Sequence, residues 1–487
     1  MDEKKLSRRN FMATTGAGAG LLAAPALGAA TSTGPNGKLR LGFIGVGGRA
    51  QSHVNSAIKL QNDPGSVECA VVCDVFNRYR DQTAAKIEKE TGKAPTKTGD
   101  YREIIDDPSI DAVVISTPDH WHAVQTIEAL KAGKHVYCEK PMTHTVEEAL
   151  DVYRSWKESG KVMQVGVQST SLKVWNKVRE DIQNGKLGKI MQYQTEYYRN
   201  SSMGQWRYYE LTKDMNPKNI DWKMFLGTER GLAPDQPFDR ARFAQWRCYW
   251  DFGSGLYTDL FVHRTTSMLM ATGLRWPGRV AGAGGIFLEY DGREAPDVAT
   301  VATDFHEGVQ GLATATMCCS NTPIKQMIRG HHGSAVLGTG EGFDGYDFVA
   351  ERPQVTKNSK IKSERVTAGV VENTSFVHFG NFVDAVKADD PDAVNCSPEL
   401  GAAAMVVVKL GARSYREGKV FHFDPESLTI SEGDTSWAKT WEQMSYDRAA
   451  TRHVPNWNAG DKGCVLHPED YQKLEGPWVN GVDPAQA

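Results

Sequence analysis

The stretch at residues 38–53, KLRLGFIGVGGRAQSH, constrains this chain more than any other. Leu39, Leu41, Phe43 and Ile44 make a short apolar run that reads as a buried strand. Gly45, Val46, Gly47, Gly48, Arg49 and Ala50 follow as a G-x-G-x-x-A turn, and a helix-like segment comes next. The first glycine makes the tight turn, and the second lets backbone approach a pyrophosphate. The third small residue, Ala50, lets helix pack on strand, and the helix N-terminus faces the anion. The next strand, residues 67–74, ends on Asp74, where a dinucleotide fold places the acid that accepts ribose hydroxyls. A carboxylate there repels a 2′-phosphate and favours NAD over NADP, while Arg78 and Arg80 keep NADP open. A helix N-cap is the alternative reading of Asp74.

The same alternation continues. Residues 77–92 read as a helix, and residues 110–116, IDAVVIS, as a buried strand. That strand runs into a loop, Thr117-Pro118-Asp119-His120-Trp121-His122, at the strand end where open α/β sheets bind ligands. His120 and His122 have no Cys or further acid at ligand spacing, so metal is not expected. A helix at about 122–133, a strand at 135–138, Glu139-Lys140-Pro141, a helix at 145–159 and a strand at 162–167 complete a doubly wound parallel sheet.

The composition then changes. Residues 200–256 hold Trp206, Trp222, Trp246 and Trp250 among many tyrosines and arginines. Such aromatic faces suit sugar rings, and suit a core or a subunit interface equally well. Asp259 and His263, at i and i+4 of an expected helix, share one face and could make a carboxylate-oriented imidazole. Residues 279–355 alternate in short runs with glycine-rich turns, the pattern of an antiparallel sheet. Helices are expected at 377–388 and 398–417, and a polar arm with Trp437, Trp441, Trp457 and Trp478 at 430–487.

At 487 residues with 40% hydrophobic content the chain can build two domains. A net charge of −4 gives no reason to expect nucleic acid or an anionic membrane as partner. Residues 1–30 pair Arg8 and Arg9 ahead of Phe11 with an Ala/Gly-rich stretch, the pattern of a twin-arginine export signal, so a periplasmic location is expected. Residues 31–37 read as a linker. The eight cysteines form no C-x-x-C. Cys69 and Cys73 lie too far apart along one strand to bridge, at roughly 13 Å.

Taken together, GFIGVGGRA with Asp74, STPDHWH, CEKP at residues 138–141 and GSGLYTDLFVH at residues 253–263 resemble the Gfo/Idh/MocA family of glucose–fructose oxidoreductase, inositol dehydrogenase and rhizopine-catabolism proteins. The resemblance implies an N-terminal Rossmann domain (38–167) and a C-terminal α+β domain (168–429) with an open, mostly antiparallel sheet. It implies cofactor contacts from Gly45, Gly47, Gly48, Arg49, Ala50, Asp74, Thr117, Pro118, His122, Glu139 and Lys140. Lys140 would sit by the reacting carbon, His263 would take the hydroxyl proton, and Asp259 would orient it or share the proton. Gln168, Arg247 and Tyr249 are the expected substrate contacts, the substrate being a small sugar or cyclitol, and a homo-oligomer is expected through the open sheet.

Free NAD is scarce outside the cytoplasm, so an exported enzyme is expected to hold its cofactor tightly and recycle it in place. Three forms follow: transhydrogenation between two sugars, a redox-neutral NAD-dependent glycosidase, or a dehydrogenase passing electrons onward. Lys140 leans toward net oxidoreduction, because some of the family's glycosidases lack that lysine. A non-catalytic sugar-binding protein is the alternative of another class.

Overall fold

The apolar run after residue 38 is β1 (Leu39–Ile44), and Leu41 and Phe43 in it are wholly buried. The computed structural model describes residues 37–62, 66–321, 326–338 and 343–433. The expected export signal and the arm beyond residue 433 lie outside the described residues. From β1 the chain continues through α1 (Ala50–Asn62), β2 (Val67–Cys73), α2 (Asn77–Thr91), β3 (Thr96–Thr98), α3 (Arg102–Asp106), β4 (Ala112–Ile115), α4 (Asp119–Lys131), β5 (His135–Glu139), α5 (Val146–Ser159) and β6 (Met163–Gly166). The six strands form one parallel sheet in the order β3-β2-β1-β4-β5-β6.

Two sequence expectations need correction here. Residues Asp119 to His122 are not loop but the first turn of α4: Pro118, at φ −62, precedes the helix, and Asp119 sits where a helix favours an acid. The short pair β3 and α3 was not anticipated, because three residues of strand carry too little pattern to read. α5 shows its start plainly. Thr145 Oγ1 accepts from the Glu148 amide at 3.1 Å, and Glu148 accepts from the Thr145 amide at 2.8 Å.

The second domain runs through α6 (Lys173–Gln183), β7 (Ile190–Tyr198), α7 (Trp222–Leu226), α8 (Arg240–Ala244), α9 (Val262–Thr272), β8 (Arg279–Gly285), β9 (Val298–Phe305), β10 (Val309–Thr316), β11 (Gln326–Gly330), β12 (Gly333–Leu337), β13 (Gly345–Ala350), α10 (Pro353–Thr356), β14 (Glu364–Thr367), α11 (Thr374–Ala388), α12 (Pro398–Glu417), β15 (Val420–Asp424) and β16 (Thr429–Gly433). Its ten-stranded sheet has the order β14-β13-β12-β11-β7-β10-β9-β8-β15-β16. Neighbours are antiparallel except β7 and β10, which run parallel in the middle. β9 and β10 bury every second residue, and the sheet packs against α12 along β8 and β9 and against α9 along β7. α12 comes close enough to β8 that a Cβ on Gly282 would strike the Gly411 carbonyl. Residues 430–433 belong to the edge of this sheet rather than to a separate arm.

One later helix packs back across the expected boundary at residue 167. α11, far along the chain, packs on α1 and buries Phe379, Phe382 and Val383 in one core with Leu41, Phe43 and Val54. It is an apolar helix without a place on its own sheet, and it covers a face of the first.

Candidate active site

The carboxyl ends of β1, β2, β4 and β5 open onto a cavity of about 650 Å³. Gly45, at φ +77, turns the chain off β1 so closely against β4 that a Cβ there would meet the Thr117 amide nitrogen at 2.8 Å. At Gly48 a Cβ would meet nothing within 4 Å, so the turn leaves open space ahead of α1 for a phosphate group. Ala50 is buried at the start of α1 and packs rather than lines the cavity. Asp74, at the end of β2, accepts the Val46 amide on Oδ2 and the Phe76 amide on Oδ1, both at 2.8 Å. Burial pushes its carboxyl up to about 6, with those two amides pulling the other way. It is not a helix cap: the residue preceding α2 is Phe76. Arg78 pairs with Asp214 at 3.3 Å and Arg80 donates to Asn77 at 2.8 Å, so both are engaged away from the cavity wall. The glycine turn and Asp74 suit a dinucleotide's pyrophosphate and ribose.

Glu139, at the end of β5, is the hub of the cavity floor. Its Oε1 accepts from Arg49 Nε, His53 Nε2 and Gln168 Nε2, each at 2.8 Å. Burial alone would raise this carboxyl; Arg49 and the His53 bond outweigh it and hold it well below its ordinary range. Next in the chain, Lys140 reaches across to the second domain, where its Nζ meets Asp259 Oδ1 at 2.6 Å. Arg247 Nε donates to the same oxygen at 3.1 Å, and Trp206 Nε1 to the other at 3.0 Å. Asp259 is therefore ionised despite burial, because Lys140 and Arg247 more than offset the loss of solvent.

The expected Asp259–His263 pair is not what forms. Residues Tyr257–Phe261 make a π-helical turn ahead of α9, which widens the spacing the i, i+4 argument assumed. The carboxylate turns to the two cations instead. His263 lines the same cavity, and burial together with Lys140 lowers its imidazole to about 3, so it stands neutral.

Of the other expected residues, Gly47, Thr117, Pro118, Gln168 and Arg247 line the cavity. His122 does not: its two ring nitrogens lie 2.6 Å from the Pro141 carbonyl and 2.8 Å from the Thr117 carbonyl, which ties α4 to the loop after β5. Tyr249 is buried under Arg242, 4.6 Å from its ring, and is absent from the cavity wall. Among the four tryptophans only Trp246 lines the cavity. Trp206 lies beneath it, at φ +66, a backbone strain that costs about 1–3 kcal/mol and delivers its indole to Asp259. Trp222 stacks on Phe225, and Trp250 donates to the Glu294 carbonyl.

Sequence reasoning passed over Arg199, Tyr208, Tyr209 and Asp119, all on the cavity wall. The first three sit in an irregular stretch with no motif, and Asp119 was hidden in a segment read for its histidines. Asp119 is buried, and burial raises its carboxyl to about 7 against the pull of Arg247 and Lys140.

Residues 39–167 match the model of an oxidoreductase family with an NAD-binding Rossmann fold. A glycosyl hydrolase family 109 protein of Shewanella baltica is 33% identical over 251 residues, covering 46% of this chain and 51% of that protein. An alpha-N-acetylgalactosaminidase of Shewanella oneidensis is 32% identical over 200 residues, 39% of this chain and 40% of that one. The chain thus matches about half or less of the length of these relatives. Levoglucosan dehydrogenase, solved with NADH and levoglucosan, shares the fold at a TM-score of 0.58 and 19% identity, covering 82% of this chain and 100% of that one. The WlbA dehydrogenase of Bordetella pertussis, solved with NADH and UDP-GlcNAcA, does so at 0.56 and 19%, covering 80% and 99%. Residues 39–167 thus match an oxidoreductase family with an NAD-binding Rossmann fold, and the two-sheet architecture of the chain is shared with these dehydrogenase structures.

Proposed function

We propose that this protein oxidises a CH–OH group of a sugar or cyclitol, using an NAD that stays bound and is recycled in place after export to the periplasm. The observation that carries the reading is one cavity walled both by the Gly45–Gly48 turn with Asp74 and by Lys140, Asp259 and His263. Gly47, Gly48 and Arg49 would hold the pyrophosphate, Asp74 the adenosine ribose, and Thr117, Pro118 and Glu139 the inner end. Bound NAD supplies the hydride acceptor and, on the return step, the hydride donor.

The remaining chemistry belongs to the chain. Lys140, fixed by Asp259, donates to the substrate oxygen and stabilises the negative charge that grows there. His263 takes the hydroxyl proton. Lowered to about 3, its imidazole is a weak base alone, so the proton moves only as Lys140 acidifies the hydroxyl, and the two act together. Asp259 balances Lys140 and Arg247 and so keeps the pair in place.

The relatives named as glycosidases favour a second reading, in which oxidation is followed by loss of an aglycone, addition of water and reduction. Purified protein, given no nucleotide, distinguishes the two when reduced-nicotinamide absorbance is followed across aldoses, cyclitols and glycosides. A stoichiometric rise that reverses on adding a second sugar supports oxidoreduction in place. Aglycone release without net reduction supports the glycosidase. No response to any sugar even with NAD supplied overturns both, and leaves a sugar-binding protein.

A further inference from the structure

Arg199 is the first residue after β7, anchored by its amide on the Thr316 carbonyl at 2.9 Å. Its guanidinium donates to the Tyr197 hydroxyl at 2.6 Å and lies 4.7 Å from the centre of that ring. Arg264 lies 4.8 Å from the same ring, so the tyrosine serves two cations at once. Among the described residues no carboxylate comes within ion-pair distance of Arg199, although it is half-buried in the cavity wall. Lys140 and Arg247 share that wall and share a single ionised carboxylate, Asp259. The next acid, Asp119, is buried and held near its midpoint at neutral pH, and Glu139 is already matched by Arg49. Arg199, Tyr208 and Tyr209 line the same cavity as Arg247 and Asp259, and Arg247 lies 5.5 Å from the centre of the Tyr209 ring. That wall therefore carries an excess of positive charge. A dinucleotide does not answer it, because its pyrophosphate belongs at the Gly45–Ala50 turn. A half-buried guanidinium facing a ligand cavity without its own acid is completed by an acid on the ligand.

We propose that the substrate is an anionic sugar, its carboxylate or ester anion seated on Arg199 while the reacting hydroxyl lies at Lys140. This deepens the proposed function and rests on it. Binding is measured by calorimetry on full-length protein saturated with NADH, so that no sugar is oxidised. The probes are D-glucose, D-glucuronate and D-glucose 6-sulfate, with the same three in the galacto series. At least one acidic probe is expected to bind about tenfold or more tightly than its neutral counterpart, with the advantage shrinking as salt is added. A preference for uronate identifies a carboxylate, and one for the 6-sulfate an ester anion. R199Q is expected to bring acid and neutral sugar within about twofold, and R199K to keep part of the preference because the charge remains but the fork is lost. A thermal melt establishes that each variant is folded, and if R199Q is not, R199K and the salt series carry the test. The proposal is overturned if no acidic probe outbinds its neutral partner, failure of the whole set to bind included, or if the preference survives R199Q. Neutral sugars that reduce the cofactor with no advantage to acids would sink this inference alone. Failure of all sugars, neutral and acidic, to react would sink the underlying oxidation.

Discussion

Lys140 and Asp259 define the residue scale, because each exists in its buried position only through the other. Asp259→Asn leaves Lys140 and Arg247 without their counter-charge, so the ammonium no longer sits where substrate oxygen must be met. The expected outcome is a fall in kcat of about 10²–10³-fold with a smaller change in KM, read by steady-state kinetics on any sugar found to react. An unchanged kcat would remove Asp259 from the chemistry. Lys140, Asp259 and His263 could all be picked out from the chain as written. Their pairing could not, since a helical i, i+4 rule does not foresee a π-helical turn. Arg199 and Trp206 were harder still. One stands after an ordinary-looking strand, the other is one of twelve tryptophans, and only their neighbours in space distinguish them.

Among the elements, α11 is the one whose role depends most on where it packs. It belongs by sequence to the second domain and by packing to the first, where Phe382 is wholly buried. Phe382→Ala is expected to cost about 3–5 kcal/mol in urea unfolding and to weaken cofactor binding, since α1 behind the glycine turn loses its support. Thr145→Ala, which removes the cap of α5, is expected to cost about 1 kcal/mol and to leave cofactor binding alone. Equal effects of the two would mean that α11 is not part of the nucleotide domain's core. Five strands of the first sheet were readable because each is a nearly continuous apolar run, and the polar β3 was not. α6 and β7 were missed: α6 is rich in charge, and β7 buries only Tyr193 and Thr195 within a polar run, MQYQTE, that shows no apolar alternation.

Over the whole molecule, buried imidazoles set the response to acid. His120, His135 and His378 are lowered to about 4 and His263 to about 3 by burial, and His53 and His144 are lowered as well. Unfolded, these groups take up protons below about pH 6.5; folded, they do not until far lower, so stability falls as pH drops through that window. Asp74, Asp119, Glu148 and Glu289, raised by burial, act in the opposite sense, as does His122, raised by its bonding partners against burial. With His331 and His422, which burial also lowers, the lowered imidazoles outnumber them. Thermal unfolding followed from about pH 7 to about pH 5 is expected to show a Tm that falls by several degrees with net proton uptake on unfolding. A flat or rising Tm would show that the carboxyls dominate. By itself the sequence determined the nucleotide-binding half, because strand, glycine turn, helix and terminal acid are local and their spacing follows from backbone geometry. It also singled out Lys140, Asp259 and His263, which the fold gathers on one cavity wall. Only the tertiary structure decided that Lys140 and Asp259, 119 positions apart, share a hydrogen bond, that α11 completes the first core, and that Arg199 faces the cavity with no acid paired to it among the described residues. Those are long-range matters of packing and charge balance, which no local pattern encodes.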